Sequence, residues 1–470
     1  MDRQYDNARW SFARKFIDSE VYQDFKPAHR PNYPEFGTRS DSLEKRLSHR
    51  RGSQPLPLTR AHVGPYSRNC LEALKEFESW CKILGQEALL DVLSVGTSQL
   101  TQEAFGEKWN DWPNGGGVPI NSEAAFRHVW NSSRPMLVRT YAGTQKMPEL
   151  AALYDKTINN AWHTFSFWWF CQIDGRGPLD LLGNLKMHLE ALRYVASKAK
   201  AFEPNIPHHF SFRGSDDVTY VLSGFLAART AKAYGVRTLI CQNMLNTPKY
   251  TWGIQDLAKA RAYLKLLRSL EDRNFRIVYQ PRAGLDYFSH DLHKAKIQLA
   301  CVTALMDDVE SLTDLSPEII HVVSYSEASH LADAQIVNES CRITLSSLQA
   351  YRKMKLKSGI AELYESPEVE YRAEEILEHC RARLKLMDNL KIDTTTVEGL
   401  YDVFKNGFLP TPQLWGQREF FPAATSLATR LLGGSVKLVG EDETPLSASD
   451  HILILKANWE NSSIAYVSRA

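Results

Sequence analysis

Four arginines stand where an apolar run gives way to polar residues: Arg60, Arg139, Arg213 and Arg282. A guanidinium offers a planar fork of N–H donors that fits a carboxylate or phosphate two bonds at a time. With Thr97, the 171–178 loop, Gln242 beside Asn243, and Glu327, they make eight such ends, and four arginines among eight give a cationic mouth suited to an acid substrate. The competing reading pairs some of them with acids of the same scaffold, such as Asp216 or Asp286. Glu327 reads three ways, as a general base, as an acceptor for a ribose hydroxyl, or as a partner of one of the arginines. His163, His208, His209, His290, His293 and His330 are not spaced as a metal-ligand set, and Asp291-Leu-His293 reads as a solvated helix start. H-E-x-x-H, G-x-S-x-G and P-loop patterns are absent. Phe165-Ser-Phe-Trp-Trp-Phe170 places aromatics at alternate positions, which either line a pocket for a planar group or pack the shell.

The elements that must position these residues alternate. Short β-branched runs are expected at 55–60, 89–95, 136–139, 164–173, 208–212, 238–241, 275–279 and from Ile319, each followed by a segment with helical spacing. Val218, Val221, Leu222, Phe225 and Leu226 illustrate that spacing. No hairpin signal such as Asn-Gly between two apolar runs interrupts the alternation and no G-x-G-x-x-G follows the first run. Eight consecutive units predict a parallel α/β fold closed as a (β/α)8 TIM barrel, with its chemistry at the carboxyl ends of the strands. The expected organisation is an N-terminal extension over 1–53, the barrel over 54–357, and a C-terminal helical linker with an appended segment over 358–470 that reads as a lid or small domain. The extension, with its basic knot at Arg46–Arg51, reads as a solvated leader or as an arm over the barrel base.

A net charge of +1 gives no electrostatic footprint for nucleic acid or a membrane surface. The seven cysteines are odd in number and hold no C-x-x-C pair, which predicts neither a disulfide framework nor a zinc site and suits a reducing, cytoplasmic setting. Met1-Asp-Arg-Gln lacks the apolar core of a signal peptide, and the most hydrophobic stretch, 165–173, is too short to span a bilayer.

Ordered local matches run through residues 54–440: Thr59-Arg60-Ala61, Asn114-Gly115, Arg139 before Gly143-Thr144, Pro178, Ile254-Gln-Asp256 with Arg261, Phe288 before Lys294-Ala295, Glu327-Ala328, and Phe404-x-x-Gly407. In these the chain resembles the large (epsilon) subunit of glutamate mutase, also called methylaspartate mutase. The resemblance implies an isomerase that rearranges a carbon skeleton by radical chemistry with adenosylcobalamin. It also implies that cobalamin is held mainly by a separate small subunit carrying D-x-H-x-x-G, since the nearest string here, Asp291-x-His293-x-x-Lys296, lacks the glycine. A homodimer of the large subunit is among the assemblies it allows. On this resemblance Arg60 and Arg139 fall on the substrate side, and Asn114, Pro178, Phe288, Glu327 and Leu331 on the cofactor side; the mutase reading adds Phe167, Trp169, Arg176 and Leu179 to the first and His62 to the second.

The departures are equally specific. Leu100 stands at the third clamp arginine of the family, Val323 at its lysine near the ribose, His62 at a glycine, and Leu179 at a tyrosine. The family's glycine-rich loop after the fourth strand is replaced by the aromatic segment and Asp174-Gly-Arg-Gly177. Losing an arginine while gaining aromatics points away from L-glutamate. Three readings stand: a mutase component for a less polar amino or carboxylic acid, a cobalamin-independent barrel lyase or isomerase of a carboxylic acid, and a non-catalytic barrel that assembles with a partner.

Overall fold

The structure, a computed structural model, describes residues 7–27, 31–53, 56–109, 112–141, 143–310, 315–359 and 367–467. The Met1–Gln4 start, Gln54-Pro55 at the head of the first expected strand, and Ser366 lie outside the described residues.

Eight parallel strands form one sheet: β1 (Leu58–Val63), β2 (Val92–Val95), β3 (Leu137–Thr140), β4 (Trp162–Phe165), β5 (Ala201–Pro204), β6 (Thr238–Leu245), β7 (Arg276–Ala283) and β8 (Ile319–His321), in the order β3-β2-β1-β8-β7-β6-β5-β4. The sheet curls until β3 and β4 meet. That seam is joined by the Ala161 amide donating to the Val138 carbonyl at 2.8 Å and by Asn160 Oδ1 accepting from the Thr140 amide at 3.2 Å. The result is a nearly closed (β/α)8 barrel wrapped by helices, as the eight-unit alternation predicts.

Side chains along a strand alternate between barrel interior and helix shell, so every second residue points inward. The lowest inward set is Leu58, Val92, Leu137, Trp162, Ala201, Ile240, Val278 and Ile319, one residue from each strand, packed with Leu43 and Leu47. Those two leucines sit on the helix Leu43–Ser53, so the N-terminal extension caps the barrel floor and is not a solvated leader. Two residues on, the inward set is polar: Arg60, Ser94, Arg139, Thr164, Glu203, Gln242, Gln280 and His321, all buried. Two further on come His62, Gly96, Tyr141, Ser166, Asn205, Met244, Arg282 and Val323, which line a cavity at the mouth.

Two expected strands are corrected. The fifth is Ala201–Pro204, while His208–Phe212 falls on a short helix, Pro207–Ser211, and its end. Proline at the first helical turn has no amide hydrogen to waste, which favours that start. The fourth stops at Phe165, because Phe167 and Phe170 take positive φ angles of 47° and 64° and turn the chain out of the sheet. Phe167, Trp168 and Trp169 are therefore buried in the shell, with the Trp168 indole N–H donating to the Leu400 carbonyl at 3.1 Å.

The C-terminal stretch packs on the barrel. Helix Pro367–Asn389 lies along helix Gly253–Arg268, with Arg372 paired to Asp217 at 3.2 Å and Arg383 to Asp216 at 3.4 Å. An antiparallel hairpin, β9 (Ala428–Leu432) with β10 (Ser435–Val439), and helix Ala448–Val467 follow. Among the described residues no helix is long and apolar enough to cross a membrane.

Candidate functional site

The polar layer below the cavity is built around Glu203 and two guanidiniums, with Arg139 Nε and Nη1 and the Gln280 amide left without hydrogen-bond partners among the described residues. Glu203 Oε1 lies 3.4 Å from both Arg60 Nη1 and Arg139 Nη2, and its other oxygen accepts from the Trp162 indole. Arg60 Nε donates to Ser94 Oγ at 2.7 Å, and its Nη1 donates to Gln242 Oε1 at 3.1 Å. Burial works against the Glu203 carboxylate, but Arg139 and then Arg60 outweigh it and hold the group below its ordinary range. Arg60 is pushed down to about 10 by burial and by Arg139 beside it.

Above this layer opens a cavity of about 810 Å³, a size that suits a small-molecule ligand. Arg282, from the end of β7, reaches it, and its only hydrogen bond among the described residues is from Nε to the Ala283 carbonyl at 3.2 Å. Its two terminal nitrogens have no partner among the described residues. Glu327, after β8, faces the same space, with its side chain open to the cavity and protein behind it. Partial enclosure pushes the Glu327 carboxyl up, against the opposing pull of Arg282.

Six histidines line the cavity: His62, His188, His208, His209, His321 and His330. Burial first, and the surrounding positive groups second, hold four of them, His62, His208, His209 and His321, well below the usual histidine range, so they are neutral at pH 7. His62 stacks on Tyr141 with ring centres 5.3 Å apart, and the Tyr141 hydroxyl lies 3.0 Å from His62 Nε2. On another wall Asp174 Oδ2 accepts from Arg176 and Arg213, each at 2.9 Å. Arg176 also stacks over Phe170 at 3.9 Å, and Arg213 lies between Trp169 and Trp415 at 4.2 and 4.9 Å. A third wall is nearly bare backbone: Gly64, Gly96, Gly117 and Gly143.

Of the residues assigned to a substrate or cofactor, Arg176, His62, Glu327 and Leu331 line this cavity, and so do Arg213 and Arg282 of the four arginines and His208, His209 and His330. Arg60 and Arg139 do not: they lie one inward layer too deep and face Glu203, not a ligand. Phe167 and Trp169 are in the shell, and Leu179 and Pro178 lend their carbonyls to Gln172. Asn114 pins its own loop through Ser67 and Gly117 carbonyls, both at 2.9 Å, and Phe288 is buried beside Tyr287. Sequence reading assigned no role to Tyr141, Glu203 or His321. For Glu203 and His321 the signal is the period-two step from Ala201 and Ile319, since residues two apart on a strand share a face. Tyr141 lies past the end of its strand, and nothing local distinguishes it.

Comparison with family models and with curated proteins finds no match. Among solved structures, D-psicose 3-epimerase with D-tagatose from Clostridium cellulolyticum H10 aligns at 9% identity and a TM-score of 0.30, over 63% of this chain and 99% of that one. The expectation of a cobalamin-dependent radical mutase is corrected by these findings. No relative supports it, and among the described residues no group of three or more His, Cys, Asp or Glu is placed to hold a metal ion. Asp291 caps helix Leu292–Asp308, and His293 pairs with Asp18 at 3.1 Å. The residues assigned to the cofactor side do not converge, since Asn114, Pro178 and Phe288 lie away from the cavity that His62, Glu327 and Leu331 line. The two arginines assigned to a substrate clamp already face an internal carboxylate.

Proposed function

We propose that this chain is a barrel isomerase or lyase of a small carboxylic acid that moves a proton on the carbon beside the carboxylate. The observation that carries the reading is Arg282, a guanidinium inside the cavity whose terminal nitrogens meet no protein group among the described residues. A buried cation kept without a partner is costly, and a ligand carboxylate supplies the missing bonds bidentately. Glu327, in the same cavity and with its proton affinity raised, serves as the base.

In this reading Glu327 takes the proton from the carbon next to the carboxylate. The electron pair of that C–H bond moves into the carboxylate, giving an ene-diolate whose second negative charge Arg282 faces. Return of a proton to the carbon completes an isomerisation, and departure of a group from the next carbon completes a lyase reaction. Five guanidiniums, those of Arg60, Arg139, Arg176, Arg213 and Arg282, stand against three carboxylates, Asp174, Glu203 and Glu327, in and directly beneath the cavity. That surplus favours an anion before the reaction and a more highly charged one during it.

The test is calorimetric titration with a panel of small hydroxy, keto, amino and unsaturated acids, followed by exchange of the α-hydrogen in deuterium oxide. Binding weakened about 30–100-fold by Arg282→Ala, with exchange abolished by Glu327→Gln, is the expected pair of results. An acid that binds equally well to the Arg282→Ala protein overturns the reading.

A further inference from the structure

We propose that Arg60 is a positioning residue that sets two histidines of the cavity in opposite tautomers, His62 with its hydrogen on Nδ1 and His321 with its hydrogen on Nε2, each free to donate to a ligand oxygen. Arginine has five N–H donors and no acceptor, so a ring nitrogen that it meets must offer a lone pair. Arg60 Nη1 lies 2.9 Å from His321 Nδ1, and Arg60 Nη2 lies 3.3 Å from His62 Nε2. The Tyr141 hydroxyl, 3.0 Å away, supplies His62 Nε2 with a second donor. The opposite tautomer of His321 would satisfy Gln242 Oε1 at 3.2 Å but would set one N–H against another across 2.9 Å. Gln242 Oε1 instead shares Arg60 Nη1 as its donor, at 3.1 Å.

Arg60 itself is wholly buried and does not line the cavity, so it reaches a ligand only through these rings. The rings do line it, 5.1 Å apart and inclined at 55°. Their low proton affinity, from burial and then Arg60, keeps one hydrogen on each at neutral pH. A neutral imidazole N–H in a site poor in water donates to a developing oxyanion without competing for its proton. The tautomers follow from the protein alone. Only the destination of the two N–H groups, an oxygen of the acid held by Arg282, rests on the function proposed above.

The experiment uses the full chain labelled with 15N in its histidines and long-range proton–nitrogen correlation spectra at pH 7.5. His62→Gln and His321→Gln identify the two spin systems. The expected spectrum has a lone-pair-type Nε2 for His62 and a lone-pair-type Nδ1 for His321. In Arg60→Met, His321 is expected to shift toward the Nδ1–H form, because Gln242 becomes its only close partner, and Arg60→Lys is expected to restore part of the original population. A wild-type His321 with its hydrogen on Nδ1 overturns the proposal and needs no Arg60 variant. An acid that binds through Arg282 while moving neither N–H resonance overturns the donor role. If no acid binds, the carboxylic-acid reading fails, and the wild-type tautomers still decide the role of Arg60.

Discussion

The inward layer through Arg60, Arg139 and Glu203 and the layer two residues above it, through His62, Tyr141 and Arg282, are built from the same strands and overlapping side-chain types. In the lower one each arginine meets the carboxylate of Glu203 and at least one hydroxyl, although Arg139 Nε and Nη1 stay unpartnered; in the upper one Arg282 bonds only a backbone carbonyl among the described residues and reaches the cavity. Depth along the strand, and not residue type, separates scaffold from site. Breaking the lower layer therefore has the largest expected effect. Glu203→Leu removes the one carboxylate that faces two fully buried guanidiniums, and removing one partner of a buried pair costs about 3–5 kcal/mol. Urea denaturation checks this. A loss under about 1 kcal/mol would mean that this layer is not what holds the barrel interior together.

The comparison sharpens under acid. The lower layer holds charged groups, two guanidiniums on one carboxylate, while the cavity wall contains uncharged imidazoles. His188, buried in that wall with Nδ1 2.7 Å from the Asn184 carbonyl, is pushed down to about 4 by burial. An unfolded histidine titrates near 6.5, so between about pH 6.5 and 4 the unfolded chain binds the proton that the native protein refuses. Stability is then full above pH 6.5 and falls as pH drops toward 4, by about 3 kcal/mol for this one residue. His188→Gln removes that contribution. Stability measured from pH 7.5 to 4.5 is expected to fall less steeply in the variant, and identical slopes would assign the acid sensitivity to groups other than His188.

How much of this was legible in the sequence depends on range. The alternation of β-branched runs with amphipathic stretches showed eight units, because both periods are local. Strand β5 escaped because Ala-Phe-Glu-Pro carries an inward charge and ends in proline, neither of which marks a strand. Arg60 looked like a strand end because charged residues rarely sit inside barrels. Leu58, Arg60 and His62 nevertheless share one face, and that pattern places Arg60 in the interior. What no local pattern carries is the partner. Glu203 lies 143 residues from Arg60 and 64 from Arg139, and only closure of the sheet brings the three together. The same holds for the cavity, whose histidines come from β1, the helix Leu181–Ser197, the short helix after β5, β8 and the stretch that follows it.

Arg282→Ala tests the upper layer directly. Its terminal nitrogens bond to nothing in the described protein, so stability is expected to stay within about 1 kcal/mol of wild type or to rise. Acid affinity is expected to fall about 30–100-fold, equivalent to about 2–3 kcal/mol. Stability and binding would thus move independently, the opposite of Glu203→Leu, where both fail together. A large stability loss in Arg282→Ala would erase the distinction between the layers.

The smallest effect is expected at the rim. Trp415 is 66% exposed and covers Arg213, held there by the Gln413 amide on the Arg213 carbonyl at 2.9 Å and the Gly416 amide on the Ile173 carbonyl at 3.0 Å. A Cβ at position 416 would meet the Gln172 carbonyl oxygen at 2.4 Å, so this close approach of the C-terminal segment requires glycine. Arg213 keeps Asp174, the His209 carbonyl and Trp169 when Trp415 is gone. Trp415→Ala is therefore expected to cost about 0.5–1 kcal/mol, the size of a solvent-exposed cation–π contact, and to weaken acid binding by less than about threefold. Denaturation and titration of the same sample separate the outcomes. A tenfold loss of affinity at unchanged stability would move Trp415 from the rim into the ligand seat, and the C-terminal segment would then belong to the site as well as to the scaffold.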